Sequence, residues 1–328
     1  MASPHRLCTA PMMDWSDRHC RYFFRQLAPH AVVYSEMITT GALLHGDVPR
    51  HLDFDPAEHP LALQLGGSEP ADLAHCAKLG ERWGYDEINL NCGCPSQRVQ
   101  RGAFGACLMA EPGLVADCVK AMQDAVSIPV TVKHRLGLDR NEDHGFVRRF
   151  VETLARAGCR TFIVHARNAV LKGLSPKGNR EVPPLRYAEV HRLKHEFAEL
   201  EIVVNGGVAS AAQVEAELAL VDGVMLGRTA YHDPYVLAEL DHRLFGGAAA
   251  PARAEIVRRM HRYAVQQVGR GTSLRAIARH MLGLYHGRPG GRRWRQMLSD
   301  APRLAANEPG LLLDALAPTE APGLAVAA

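Results

Sequence analysis

At 328 residues, 47% hydrophobic and 22% charged, the chain has the balance of a globular protein large enough for one barrel-sized domain and a smaller one, or for two to three medium domains, which excludes disordered, collagenous and low-complexity classes. The net charge of +3 hides an asymmetry: residues 252–305 hold 12 Arg and no Lys against Glu255 and Asp300, a local net of +10 that leaves the rest at −7. No window reaches the roughly 20 uncharged apolar residues of a membrane span, the segment from Met1 to Pro11 is too short and polar for a secretory signal, and the cysteines show no paired CxxC spacing, so reduced thiols, no metal site and a cytoplasmic location are expected.

Short apolar runs predict strands at 7–10, 32–34, 61–65, 87–90, 129–132, 161–164, 202–204 and 223–226. Amphipathic stretches between them predict helices at 70–83, 114–126, 146–157, 187–197 and 211–220. Alternating strand and helix units of this length imply a parallel sheet, and their number favours a closed (β/α)8 TIM barrel over residues 1–245. Pro11 with Met12, Glu36, Gln64, Asn91, Lys133, His165, Asn205 and Gly227 all fall at the same end of their strands. In a barrel that end is the catalytic face. Gly246 to Pro251 reads as a linker. A small all-helical domain is expected over 252–316, with one helix carrying Ile256, Met260, Tyr263 and Gln267, a second after Ser273 as N-cap, and a third around Trp294. The Ala-, Pro- and Gly-rich tail at 317–328 is expected to be disordered.

Two Gly-bearing loops carry the most legible chemistry. Asn205-Gly206-Gly207 follows the seventh strand and Gly227-Arg228 the eighth, the places where barrels often hold a phosphate, with Gly admitting backbone amides and Arg a charge. Lys133 should point over the mouth, where an amine forms a Schiff base, pairs with an anion, or stabilises a reduced flavin. Gln64 and Asn91 suit a heterocycle edge of alternating C=O and N–H groups. Cys94 stands in a stiff turn between Gly93 and Pro95. An unperturbed thiol, with pKa about 8.5, is mostly protonated at neutral pH and available as a proton donor. Cys107, Cys118 and Cys159 read as small buried hydrophobes.

The runs Ala10-Pro11-Met12, Gln64 to Gly67 (QLGG), Asn89 to Ser96 (NLNCGCPS), Lys133 to Gly137 (KHRLG), His165-Ala166-Arg167, Asn205-Gly206-Gly207 and Gly227-Arg228 resemble, in order and spacing across nearly the whole chain, the flavin-dependent tRNA-dihydrouridine synthases. The stretch from Leu171 to Leu185 is similar to their A-type subfamily. The resemblance implies FMN held by Pro11, Met12, Met13, Gln64, Lys133, His165, Asn205, Gly206, Gly207, Gly227 and Arg228, with NADPH as reductant. It implies Cys94 as general acid, giving a proton to uracil C5 while hydride reaches C6. Asn91, Lys177 and Arg180 would contact the target nucleotide or its tRNA, and uridines 20 and 20a of the D-loop would be the targets. His134 and Cys92 depart from the family pattern beside site residues, where each is expected to influence local pKa values. The lack of a second nucleotide fingerprint such as GxGxxG fits a reductant that shares the mouth with substrate. A base in folded RNA must be extruded to reach it. The basic helices would then bind tRNA, through Arg275 with Arg279 and through Arg293 with Gln296, and the protein is expected to be a monomer. Three other readings stay open on the residues alone: a Schiff-base phosphosugar aldolase using Lys133, a flavin barrel acting on a free pyrimidine, and a catalytically silent RNA-binding module.

Overall fold

A computed structural model describes residues 3–246 and 249–320. Its core is a closed parallel barrel of β1 (Leu7–Thr9), β2 (Val32–Tyr34), β3 (Leu61–Gly66), β4 (Glu87–Cys92), β5 (Val130–Arg135), β6 (Thr161–His165), β7 (Glu201–Asn205) and β8 (Gly223–Leu226). Each strand pairs with the next, and Cys8 of β1 lies opposite Met225 of β8, so the ring has no free edge. The (β/α)8 expectation is therefore met. A two-residue strand, Ile38–Thr39, lies alongside the end of β3. It belongs to a connection between β2 and β3 that also holds the short helices Thr40–His45 and Val48–Leu52, none of which the apolar periodicity had signalled.

The surrounding helices begin where local chemistry says they should. Pro70 and Pro112 occupy the first turn of helices Pro70–Trp83 and Pro112–Ala125, where a missing N–H costs nothing. Ser210 accepts from the Gln213 amide to cap Ala211–Leu218, and Asp143 accepts from the Gly145 amide to cap His144–Arg156.

The barrel interior holds an apolar cluster and a polar column side by side. Cys8, Ala10, Val32, Tyr34, Ala62, Ile163, Val203 and Met225 form one buried cluster, with Met12 packed over it. Next to it, and reached by the Tyr34 hydroxyl, which donates to Glu87 at 2.8 Å, runs a column of polar side chains. Asn91 donates to Gln64 Oε1 at 2.8 Å, Gln64 to Asn89 Oδ1 at 2.7 Å, Asn89 to Thr131 Oγ1 at 2.8 Å, and Thr131 to Glu87 at 2.5 Å. Because Asn91 Oδ1 is taken by backbone amides, every amide in the column has one orientation, with its donor toward Glu87. The base is charged: His5 Nε2 meets Glu87 at 2.5 Å and Nδ1 meets Glu201 at 2.9 Å. Burial alone would lower the His5 pKa, but hydrogen bonds to Glu201 and Glu87 and their charges raise it to about 10. Glu201 falls to about 2, its burial outweighed by the hydrogen bond and charge of His5. The imidazolium is thus shared between two carboxylates.

The described residues pack as two compact units, one drawn from Met1–Asp14 and Ala31–Gly227, the other from Trp15–His30 and Arg228–Ala328. This division differs from the 1–245 and 252–316 partition read from the sequence, and the reason is the helix Arg18–Leu27. Tyr22 stacks on Tyr263 of helix Arg253–Gly269 at a centroid distance of 3.8 Å, and His19 Nδ1 bonds the Tyr263 hydroxyl at 2.8 Å. The N-cap Asp17 pairs with Arg279 and, at 3.0 Å, with His280. Within this second unit, Ile256, Met260, Tyr263 and Gln267 are buried as one face of the first basic helix, Ser273 caps Leu274–Ala278 by accepting from Ala276, and Trp294 is buried in Gly291–Leu298 with its indole N–H on the Met281 carbonyl at 2.9 Å. A last helix, Leu311–Glu320, runs through Pro318 and so includes the start of the stretch read as a tail. Residues 321–328, like 247–248 of the expected linker, lie outside the described residues.

Candidate active site

Strands β3 to β7 end later than periodicity predicts, and the extra residues of β4 to β7 make the site. Asn91 pairs with Lys133 across β4 and β5, and His165 with Asn205 across β6 and β7, so these polar side chains are held by the ladder rather than by loops. Lys133 Nζ donates to Asn205 Oδ1 at 2.9 Å, and Asn205 Nδ2 donates to the Met225 carbonyl at 2.8 Å. Burial, then the neighbouring Arg135 charge, lowers the Lys133 amine to about 7. Arg135 is likewise buried and lowered, to about 10, chiefly by desolvation.

Among the described residues no carboxylate pairs with Lys133 or Arg135. Beside them His165 is held well below its ordinary pKa by burial and by the charges of Arg135, Lys133, Arg167 and Arg180, and its buried Nδ1 has no hydrogen-bond partner among the described residues. Basic groups without a carboxylate partner and an orphaned ring nitrogen are costly unless a ligand answers them. The donor set fits an anionic, hydrogen-bonding heterocycle with a phosphate, which is the chemistry of FMN. The two glycines of the β7 loop fit as well: Gly206 and Gly207 have φ of +109 and +70, and a Cβ would lie 3.2 Å from the His165 ring at the first and 2.4 Å from Leu185 at the second. No L side chain replaces either without strain. Gly227 has no such constraint from the protein itself, its Cβ direction meeting Ala10 at 3.6 Å. Arg228 opens the short helix Arg228–His232 immediately after it.

The Cys94 turn is pinned on all sides. Asn91 Oδ1 accepts from the Gly93 and Cys94 amides at 3.0 and 2.9 Å. The Cys94 carbonyl accepts from Ala106 at 2.9 Å, an approach that requires Gly105, whose φ is +78 and whose Cβ would lie 2.6 Å from that oxygen. Cys94 is half-buried and, with Cys107, stands apart from the six fully buried thiols. Cys118 and Cys159 are small core residues as expected, whereas Cys107 is half-buried.

Met13 is 57% exposed above the barrel core and Pro11 half-buried beside it. Gln64 is buried, and its amide already serves Asn89 and Asn91, which leaves one N–H and one lone pair for a ligand. Lys177 and Arg180 are exposed on the loop after β6, Arg293 and Gln296 on the outer face of Gly291–Leu298. Three expectations are corrected. His134 alternates with Lys133 and faces the helix layer, its Nδ1 donating to the Arg135 carbonyl at 2.7 Å and its ring 5.1 Å from Phe150, so burial holds it neutral with a pKa of about 4. Cys92 is fully buried and its thiol pushed well up, first by desolvation. Strand alternation turns both side chains away from the mouth. Arg279, paired with Asp17, is not the free phosphate ligand expected beside Arg275, which is exposed.

Arg135 escaped the sequence reading. It sits two residues after Lys133 on one strand, so period-2 alternation already put it on the same face.

A closed parallel barrel whose mouth gathers an amine, a guanidinium, a neutral imidazole and a half-buried thiol defines a TIM barrel with a polar, donor-rich mouth. The model of the dihydrouridine synthase (Dus) family matches residues 8–317. A relative from Pseudomonas aeruginosa is 56% identical over 299 residues, covering 91% of this chain and 90% of its own. One from Synechocystis is 53% identical over 327 residues, covering 99% and 98%, and one from Salmonella typhimurium is 52% identical over 314, covering 95% and 94%. All three are named tRNA-dihydrouridine(20/20a) synthase. The chain belongs to the dihydrouridine synthase family.

Proposed function

We propose that the protein reduces uridines 20 and 20a of tRNA to dihydrouridine, with FMN as cofactor and NADPH as reductant, acting as a cytoplasmic monomer. The observation that carries this reading is the tie between the Cys94 turn and the strand that bears Lys133: Arg135, on the same strand face as Lys133, donates to the Gly93 carbonyl at 2.8 Å, and Asn91, opposite Lys133 in the ladder, accepts from the Cys94 amide at 2.9 Å. FMN, when bound and reduced by NADPH, supplies the hydride for uracil C6. Lys133, His165, Gln64 and Pro11 to Met13 hold its ring, while Asn205, Gly206, Gly207, Gly227 and Arg228 hold its ribityl phosphate. Asn91, Lys177 and Arg180 place the extruded base, and the Cys94 thiol gives its proton to C5. The lowered Lys133 amine is what a Schiff-base aldolase would also want, but membership in the synthase family removes that reading and the silent-module reading with it.

Dihydrouridine mapped by mass spectrometry in tRNA from a deletion strain tests the assignment. The protein is expected to purify yellow, with close to one flavin per chain, and the strain to lack dihydrouridine at 20 and 20a until the gene is restored. Loss at other D-loop positions instead would overturn the positional assignment. A colourless protein that does not take up FMN would overturn the cofactor.

RNA capture is assigned to the second unit. Arg275, Arg292, Arg293 and Arg295 are exposed, on a segment of net +10 with almost no acidic partners. Arg293→Ala with Gln296→Ala is expected to weaken tRNA binding with an unchanged flavin spectrum, and to flatten the salt dependence of log K by about one unit for the charge removed. An unchanged salt slope in filter binding would mean that this helix face does not meet phosphate.

A further inference from the structure

The turn that carries Cys94 and the loop that follows β6 are joined by side chains belonging to neither. Gln100 lies on the short helix Gln97–Arg101. Its Nε2 donates to the Pro95 carbonyl at 2.8 Å and, with its other hydrogen, to the Leu171 carbonyl at 2.9 Å. Pro95 follows Cys94 directly, and Leu171 opens the loop bearing Lys177 and Arg180. Arg135 makes a parallel tie on the other side of the thiol: Nε donates to the Gly93 carbonyl at 2.8 Å, and Nη1 to the carbonyls of Asn168 and Asn179 at 3.0 and 3.1 Å. The carbonyls flanking Cys94 are thus each bound, through one side chain, to the same loop. The loop has its own internal lock. The buried Asn179 donates to the Val170 carbonyl at 2.9 Å and accepts from the Val170 amide at 2.7 Å, while the Leu171 amide donates to Asp139 at 2.8 Å.

We propose that Gln100 is a positioning residue that couples the loop carrying Lys177 and Arg180 to the turn carrying Cys94, so that the thiol is aligned only while that loop is docked. The inference rests on the assignment of Cys94 as proton donor and of the loop as the RNA-facing element. The physical reason is the polarity of the contacts. Both use the amide nitrogen as donor to two backbone carbonyls, and no other donor in the described structure serves the Leu171 carbonyl. A dangling turn lets a reacting group drift, and displacement of about 1 Å costs on the order of 10²-fold in rate. The arrangement ties proton delivery to RNA engagement: contact with Lys177 and Arg180 stiffens the loop, and Gln100 passes that constraint to the turn.

Gln100→Glu and Gln100→Met test this, since both keep the side-chain length and remove the double donor, and the first adds repulsion against two carbonyl oxygens. Flavin content and the rate of flavin reduction by NADPH should stay within about twofold of the native protein, because neither uses the Cys94 turn. Reoxidation of the reduced enzyme by saturating tRNA in a single turnover should slow by about 10- to 100-fold, with little change in the tRNA concentration giving half-maximal rate. Asn179→Ala, which unlocks the loop without touching the turn, should give the same split. The double variant should be no slower than the worse single one, because both changes break one connection. If Gln100→Glu lowers the melting temperature, the neutral Met variant decides. Native reoxidation rates in the Gln100 variants, or multiplying effects in the double variant, would overturn the coupling. A Cys94→Ala control separates the two levels: if that variant is slow while the Gln100 variants are native, the coupling alone fails, and if it turns over at the native rate, the proton-donor assignment fails first.

Discussion

Replacing Cys94 by Ala is expected to leave FMN binding and its reduction by NADPH intact while dihydrouridine formation falls by about 10²- to 10⁴-fold, the usual contribution of a positioned general acid. The reasoning is geometric. The thiol stands on a turn whose backbone groups are nearly all engaged, by Asn91, Ala106, Arg135 and Gln100, so that only the side chain is left free to act. Removing its sulfur disturbs none of these bonds. Cys92→Ala is the matched control, since that thiol is buried in the layer between strands and helices, near Cys118 and Cys159. It should cost some stability and leave the rate of reoxidation by tRNA unchanged. Stopped-flow measurement of the two half-reactions in each variant settles the assignment, and a slow Cys92 variant beside a normal Cys94 variant would reverse it.

The second large effect is expected at the opposite end of the barrel. His5→Leu removes the cation between the buried Glu87 and the partly buried Glu201 and leaves both carboxylates without it, a change that typically costs about 3–5 kcal/mol. For a unit of this size that corresponds to a fall in melting temperature of roughly 10 °C. The contribution of the native triad depends on pH in a defined direction. His5 has its pKa raised from 6.5 to about 10, so its share is complete below about pH 6.5 and is lost as pH rises toward about 10. Glu201 has its pKa lowered from 4.5 to about 2, so its share is complete above about pH 4.5 and is lost as pH falls toward about 2. The stability gap between native protein and variant should therefore be widest between about pH 4.5 and 6.5 and narrow on either side. Denaturant melts at several pH values measure it. A gap that does not change with pH would mean that the triad is not charged in the folded protein.

The barrel was readable because its signal is local. Apolar runs such as Thr161–His165 and Gly223–Leu226 recur between helix-period stretches, and helix starts are marked locally, by Pro70 in a first turn and by Ser210 as a cap. The site residues were readable in part for the same reason: Lys133, His165 and Asn205 fall at strand ends, and side-chain type then limits what each can do. The strand ends themselves were not. Asn91, Lys133 and Arg135 look like loop residues by polarity, yet they continue the ladder because the mouth of the barrel satisfies them.

By itself the sequence determined the order of the eight barrel strands, the family, the thiol in its Gly-Pro turn, and the concentration of positive charge in one helical segment. Each of these is a property of adjacent residues or of their count. Only the tertiary structure decided which neighbours those residues have. It turned His134 and Cys92 away from the mouth, because side chains on a strand alternate between two environments whose register is set by pairing. It consumed Arg279 in an ion pair with Asp17 across 262 positions of sequence. It drew the helix Arg18–Leu27 into the unit of the C-terminal helices through Tyr22 and Tyr263. And it placed Gln100 between Pro95 and Leu171, a contact no local pattern encodes, since its energy depends on two loops that meet only after the barrel has closed.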